Sequence, residues 1–214
     1  MSRRPLPVAV LVSGFGSNLQ ALLDAADAGR LNVEFRLVAS DRPEAPGLKR
    51  ARRAGLATAA LPPDDYADRT AWNDAMATAL RDSGAELVVL AGFMRVLGAE
   101  LVRAWQGRML NVHPSLLPLH RGLHTHRRAL QAGDRMHGTS IHFVTEELDG
   151  GPVILQARVP VLPGDTEERL TARVQAREHE VYPRVVQWIA DGWLEWRDGG
   201  PWLFGRRLAE PVVV

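Results

Sequence analysis

The sequence contains no cysteine. That excludes disulfides, a thiol nucleophile and any cysteine-ligated metal. It is nearly without lysine as well: Lys49 is the only one, so the positive charge sits on arginine, a pattern that reads as coding bias before function. A large charge of either sign is missing. The formal net charge is +1 over 214 residues, with acids and bases interspersed, which gives no support for a polyanion-binding surface or a nucleic-acid partner. Long apolar runs are missing too, and none reaches the ~20 residues that a membrane span needs. Ser2-Arg3-Arg4-Pro5 is basic, but the apolar run after it is short and enters a glycine-rich turn, unlike a signal peptide. The expectation is a cytoplasmic chain with no membrane partner, long enough for one substantial core.

What is present alternates strand with helix. Residues 8–13 form a solid apolar run, the pattern of a strand buried on both faces. Gly14-Phe15-Gly16-Ser17-Asn18 turns the chain into a helix over 19–28, stopped by Gly29. Strands over 33–40, 57–61, 87–91 and 109–112 alternate with helices over 45–54, 66–81 and 97–105. Repeated units of this kind imply a mostly parallel twisted sheet with helices on both faces. After His137 the pattern changes to two strands, 138–144 and 153–161, with Gly150-Gly151-Pro152 between them. A long helix over 165–190 follows, capped by Asp165 or Thr166. Residues 194–204, broken by Asp198-Gly199-Gly200-Pro201, read as a terminal hairpin. The fold class is therefore α/β, with a Rossmann-like N-terminal half and a C-terminal long helix and hairpin.

The densest chemistry lies in two stretches. Asn111-Val112-His113-Pro114 closes a strand, and Glu146-Glu147-Leu148-Asp149-Gly150-Gly151 ends in an acid on a glycine-bounded loop. An imidazole that can give a proton, an amide that can hold an oxyanion and a carboxylate that can tune the imidazole are the parts of acyl or formyl transfer. The Gly14–Asn18 turn opens a helix, where freed backbone N–H groups and the helix dipole favour a phosphate. It is an imperfect dinucleotide fingerprint, with Leu19 in place of the third glycine, and it lacks the Gly-Lys pair of a Walker loop. A phosphate monoester fits it best, with a plain tight turn capped by Ser17 or Asn18 as the bland alternative.

Ala91-Gly92-Phe93-Met94-Arg95-Val96-Leu97 ends a central strand at the edge where open α/β sheets bind ligands. Its apolar members could line a flat slot, or could simply be strand-end core. Gln175 and Glu178 share one helix face, where they could bind a polar group together, although spacing alone favours a solvated face. His124-x-His126 suggests a metal, but without cysteine and without an acid at ligand spacing no metal site is expected.

Six motifs in order make the chain resemble the phosphoribosylglycinamide formyltransferase family of purine synthesis, from Val8 to Leu208. They are Ser13-Gly14-x-Gly16-Ser17-Asn18-Leu19-Gln20, Leu90-Ala91-Gly92-Phe93-Met94-Arg95, Asn111-Val112-His113-Pro114-Ser115-Leu116-Leu117-Pro118, Gly122-Leu123-His124-Thr125-His126, His137-Gly138-Thr139-Ser140 and Glu147-Leu148-Asp149-Gly150-Gly151-Pro152-Val153-Ile154. The resemblance implies a single formyltransferase domain over 1–214 with a sheet of about seven strands. Its N-terminal half would bind the ribonucleotide phosphate and its C-terminal half would complete the folate site.

The resemblance also implies site roles. Asn111, His113 and Asp149 match the catalytic trio. Gly16, Ser17 and Asn18 match the phosphate site of glycinamide ribonucleotide, and Gln175 and Glu178 match the segment holding the rest of it. Arg69, Met94, Arg95, Val96, Leu97, Asn111 and Thr145, Glu146, Glu147, Leu148, Asp149 match the folate contacts. Two places depart from the family pattern: Phe15 replaces a small or polar residue, and Leu119-His120-Arg121 replaces a different run.

By that resemblance the donor is 10-formyltetrahydrofolate as co-substrate, without a metal, and the partners are small molecules acting on a monomer or homodimer. The amine of the ribonucleotide would attack the formyl carbon, with Asn111 and a protonated His113 on the developing oxyanion. A free imidazole has a pKa of about 6.5, so a carboxylate such as Asp149 would be needed to favour the charged form. The alternatives are a formyltetrahydrofolate hydrolase or another formyltransferase of the same fold. Their relatives carry an extra N-terminal or C-terminal domain that this sequence is not expected to have. More remote is a non-catalytic folate- or nucleotide-binding module, which would not need all three of Asn111, His113 and Asp149.

Overall fold

The computed structural model describes residues 4–214. Strand β1 (Leu6–Val12), helix α1 (Ser17–Asp27), β2 (Val33–Ser40), α2 (Pro46–Arg53) and β3 (Thr58–Ala60) open the chain. Helix α3 (Arg69–Asp82), β4 (Leu87–Leu90), α4 (Ala99–Ala104), β5 (Met109–His113), α5 (Thr125–Ala132) and β6 (Met136–Phe143) follow. Then come β7 (Val153–Pro160), α6 (Glu167–Ala190), β8 (Leu194–Arg197), β9 (Gly200–Leu203), β10 (Arg206–Arg207) and β11 (Val212–Val213). The main sheet has eight strands in the order β11-β7-β6-β5-β4-β1-β2-β3. Strands β1 to β5 pair in parallel, β6 runs antiparallel to both neighbours, and β11 lies parallel to β7. The sheet is thus mostly parallel with β6 alone reversed. Its eighth strand is the two-residue β11, too short to leave a pattern in the sequence.

The apolar run of β1 has a plain cause. Val8, Val10 and Val12 feed the core layer that includes α1 and α6, whereas Ala9 and Leu11 feed the layer that includes α3 and α4. Side chains alternate across a strand, so a strand covered on both faces must be apolar throughout. Strand order reverses between β1 and β4: chain order runs outward through β2 and β3 on one side and through β5 on the other. Such a switch point leaves a crevice beyond the carboxyl ends of the strands. The site described below opens there.

Three details position that crevice. The hydroxyl of Tyr182, fully buried on α6, shares its proton between the carbonyls of Leu90 (3.0 Å) and Leu110 (3.2 Å), tying α6 to β4 and β5. Helix α6 is capped by Thr166, whose hydroxyl accepts from the Arg169 amide, and Glu167 and Glu168 follow in the first turn, where the helix dipole favours acids. Helix α3 starts at Arg69 rather than at 66, because Asp68 is its cap, accepting from Ala71 at 2.8 Å, and a 3-10 turn occupies Pro63–Asp65.

The expected hairpin is present. Strands β8 and β9 pair across Asp198 and Gly199, both with positive φ (50° and 74°), as a tight two-residue turn requires. Among the described residues no helix is long and apolar enough to cross a membrane.

Candidate active site

A cleft of about 670 Å³ sits at the switch point. Its lining brings together the Gly14–Asn18 turn, the 90–97 segment, Asn111 and His113 at the end of β5, the 145–149 loop, and Gln175 and Glu178 of α6. Of the candidate catalytic and binding residues, Arg69 alone is outside the lining. Its guanidinium donates to the Val96 carbonyl (3.1 Å) and so braces the wall from behind.

The floor is built by the reversed strand. Antiparallel pairing of β5 with β6 sets Asn111 opposite His142 and His113 opposite Ser140. Asn111 Nδ2 lies 3.1 Å from His142 Nε2, and His142 Nδ1 lies 2.9 Å from the Phe143 carbonyl. A carbonyl only accepts, so His142 Nδ1 carries the proton and Nε2 accepts from the Asn111 amide. Burial, the largest influence, also holds the His142 imidazole below its usual value, which favours this neutral form. The asparagine is thereby oriented, with one N–H used and the other free to meet a ligand. His142 was not among the residues singled out in the sequence, because only the β5–β6 pairing sets it across from Asn111.

Asp149 reaches this floor because the chain doubles back tightly. It has a positive φ of 48°. A Cβ on Gly151 would stand 1.9 Å from the Phe143 carbonyl oxygen, so only glycine permits the return. One Asp149 oxygen accepts from the Gly122 amide (2.8 Å) and lies 3.4 Å from His113 Nδ1; the other lies 3.7 Å from His142 Nε2. The second nitrogen of His113, Nε2, lies 3.1 Å from the His120 carbonyl. Either neutral tautomer would therefore point one nitrogen lone pair at an oxygen, and the imidazolium alone satisfies both sides. Burial opposes it and is the stronger influence: it draws the His113 pKa below 6.5, against Asp149 and the His120 carbonyl, which raise it, while Arg128 lowers it further. Asp149 thus acts in the expected direction, but burial leaves the ring with a net pKa below the usual value.

At the other end, Gly16 (φ 74°) is itself the N-cap of α1, and no side chain caps the helix. The bland alternative of a Ser17 or Asn18 cap is not what forms, and the first N–H groups of α1 are left for a ligand. A Cβ on Gly16 would stand 2.7 Å from Gly47 Cα, which explains the glycine. Asn18 Nδ2 instead donates to Glu178 Oε2 at 2.8 Å, inside the protein. Glu178 is buried, not solvated as helix spacing alone suggested, and burial raises its pKa against the Asn18 and Thr139 hydrogen bonds that lower it. Gln175 is exposed in the cleft wall one turn away.

The apolar slot of the cleft is lined by Leu90, Phe93, Leu97, Val102 and Val144, with Met94 and Val96 exposed beside it. The Ser13 hydroxyl accepts from the Met94 amide (2.9 Å), and Asp41 holds the Arg95 guanidinium at 3.0 Å. Backbone groups of the 92–97 segment are thus held at the wall while the Arg95 charge is drawn aside. Thr145 and Leu148 complete the opposite wall; Glu146 pairs with Arg103 at 2.9 Å, and Glu147 pairs with Arg121. Phe15 stands exposed at the mouth, with the Arg50 guanidinium 4.3 Å above its ring. Among the described residues no group of three or more His, Asp or Glu has a metal-holding geometry. His124 caps α5, and His126 contacts His137 at 3.1 Å.

This arrangement is similar to known proteins. Residues 6–186 match the family model described as formyl transferase. The phosphoribosylglycinamide formyltransferase of Escherichia coli is 51% identical over 201 residues, covering 94% of this chain and 95% of that one. A trifunctional purine biosynthetic protein adenosine-3 of Homo sapiens is 40% identical over 193 residues, which are 90% of this chain and 19% of that longer one. The structure of phosphoribosylglycinamide formyltransferase from Coxiella burnetii in complex with CHES superposes with a TM-score of 0.94 at 45% identity, covering 98% of this chain and 99% of that one.

Proposed function

The chain belongs to the formyl transferase family, and from that premise we propose that it moves the formyl group of 10-formyltetrahydrofolate to the amine of 5'-phosphoribosylglycinamide. The observation that carries the reading is the convergence of Asn111, His113 and Asp149 in one cleft with an uncapped helix N-terminus and an apolar slot. A phosphate at Gly16, Ser17 and Asn18 meets the free amides of α1. Glu178 and Gln175 then face the sugar and amide of the same molecule. The slot from Leu90 to Leu97 takes the flat ring of the folate, with Thr145 to Asp149 opposite. Residues 1–214 act in this reading as one domain in the cytoplasm, as a monomer or homodimer, on small molecules and without nucleic acid, membrane or metal.

The chemistry follows from the floor. The unprotonated amine attacks the formyl carbon, and the carbonyl electron pair moves to oxygen. The free N–H of Asn111 and the Nε2 proton of His113 donate to that oxygen as it becomes negative, which stabilises the transition state more than the ground state. Asp149 holds the second imidazole proton at Nδ1, and the new negative charge adds to its pull on that proton. The amine gives up a proton, N10 of the folate gains one, and the oxygen re-forms the carbonyl as the C–N10 bond breaks to release tetrahydrofolate.

Formation of tetrahydrofolate with and without the ribonucleotide tests this. Release that depends on the ribonucleotide supports transfer. Release at the same rate without it would make the chain a formyltetrahydrofolate hydrolase, and no release with either would leave a binding module.

A further inference from the structure

One of the residues that depart from the family pattern, His120, lies against a candidate catalytic group. His120 carries a positive φ of 53°. A non-glycine residue in that region is strained and persists only where its surroundings hold it. The conformation turns the His120 carbonyl onto His113 Nε2, 3.1 Å away. The side chain of the same residue points elsewhere, with Nε2 2.6 Å from Asp134 Oδ2, in the turn between α5 and β6. His137 packs edge-on against this imidazole at 6.1 Å. Both ring and carboxylate are largely shielded, with side-chain exposures of 13% and 25%, so solvent screens the pair less than an exposed one.

We propose that the His120–Asp134 pair is a positioning device for the reaction. It locks the His120 backbone so that its carbonyl grips His113 at Nε2, fixing the ring plane and keeping a proton on the nitrogen that Asp149 does not face. The proposal rests on the function given above. Two acceptors, one on each nitrogen, leave the imidazole a single orientation. Without the carbonyl the ring can rotate about its Cβ–Cγ bond, and the Nε2 proton loses the acceptor that favours it. When the substrate oxygen becomes negative, it shares this proton in a three-centre bond. The other charged or titratable groups around His113 are Asp149, Arg128 on α5, His126, His137 and His142. None of them replaces the carbonyl at Nε2.

The test is Asp134→Ala in the full chain, with kcat, both KM values and an NMR titration of the His113 ring. The expected result is a kcat lowered about tenfold, as a modest misplacement costs, with both KM values little changed and the His113 titration moved to lower pH. His120→Gln in the parent, whose amide can still donate to Asp134, should keep most of the parent kcat. His120→Gly adopts the same φ without strain but has no anchor; it should behave as Asp134→Ala and decides the matter if that variant does not fold. Unchanged kcat and an unchanged titration overturn the proposal. So does a kcat that falls with an unmoved titration, which is general loosening. A kcat that rises also overturns it, since the carbonyl would then be capping His113. If the parent transfers no formyl group, the functional reading falls, and the titration still decides whether the anchor holds His113.

Discussion

Asn111 donates its side-chain N–H to His142 Nε2 across the β5–β6 ladder at 3.1 Å. The reversed strand therefore does more than close the sheet. It supplies the acceptor that turns the Asn111 amide, and its neutral tautomer is fixed by its own backbone at Phe143. Asn111→Ala should lower turnover by on the order of 10²–10³, the usual effect of losing one oxyanion donor, with little change in ribonucleotide binding. His142→Ala keeps the donor but frees its orientation, and should lower turnover by about tenfold. The two losses should not add in the double variant, because His142 acts through Asn111. Steady-state kinetics of the three variants check this; additive losses would show that His142 has a separate role.

Glu178 sits at 5% exposure on α6 with a raised pKa. Its only cause of elevation is burial, so the ionised form is held at a cost to the fold. A carboxyl with a raised folded pKa stabilises below its unfolded value, near 4.5, and that contribution is lost as pH rises through the folded value. Glu178→Gln keeps an acceptor for Asn18 and removes the charge. It should raise stability at neutral pH by about 1 kcal/mol, the scale of relieving one functional liability. Ribonucleotide affinity should fall about tenfold, because a hydrogen bond to a charged acceptor is replaced by a neutral one. Thermal melting and calorimetric titration read the two effects. A variant that melts lower and binds normally would remove Glu178 from the substrate site.

The parts of this site differ in how visible they were in sequence. Strands β1, β2 and β4 were legible, because burial on both faces demands unbroken apolar runs. The Gly14–Asn18 turn was legible as an entry into α1 because Gly16 and a helix start stand together. Helix α5 was not: of its residues only Thr125 and Ala129 are buried, which is too narrow a stripe to read as amphipathic among His126, Arg127 and Arg128. Burial of Glu178 was invisible, since spacing says which residues share a face and not what that face meets. Asp149 and His113 are far apart in sequence, and it takes the antiparallel β5–β6 pair and the glycine return at Gly151 to join them. The His120 carbonyl could not be read at all, because any residue has one.

The buried histidines make an acid-sensitive fold. The pKa of His137 is lowered to about 4, first by burial and then by its neighbours His126 and His120. His113, His126, His142 and His179 are lowered too, each chiefly by burial. In every case the unfolded chain binds the proton more readily than the folded one. Stability is then present above the unfolded value near 6.5 and is lost as pH falls through the folded values. The melting temperature should drop steadily between pH 6.5 and about 4. His137→Gln should flatten part of that slope, and an unchanged slope would mean that His137 stays neutral in both states.

The last prediction concerns Asp149, whose carboxylate lies 3.4 Å from His113 Nδ1. Burial already draws the His113 pKa below 6.5, and Asp149 is the largest influence against it. Asp149→Asn keeps the shape, can still accept from the Gly122 amide, and removes the charge. The His113 pKa should therefore fall further. If the protonated ring is the active form, the basic limb of the rate profile moves to lower pH. Activity should be weak at neutral pH and recover partly on acidification, until the substrate amine is itself protonated and stops attacking. The values read from the profile belong to the interacting groups together, since His142 also faces Asp149 at 3.7 Å. An unshifted profile with reduced turnover would make Asp149 a shaping residue only. A fully active variant would exclude it from the reaction.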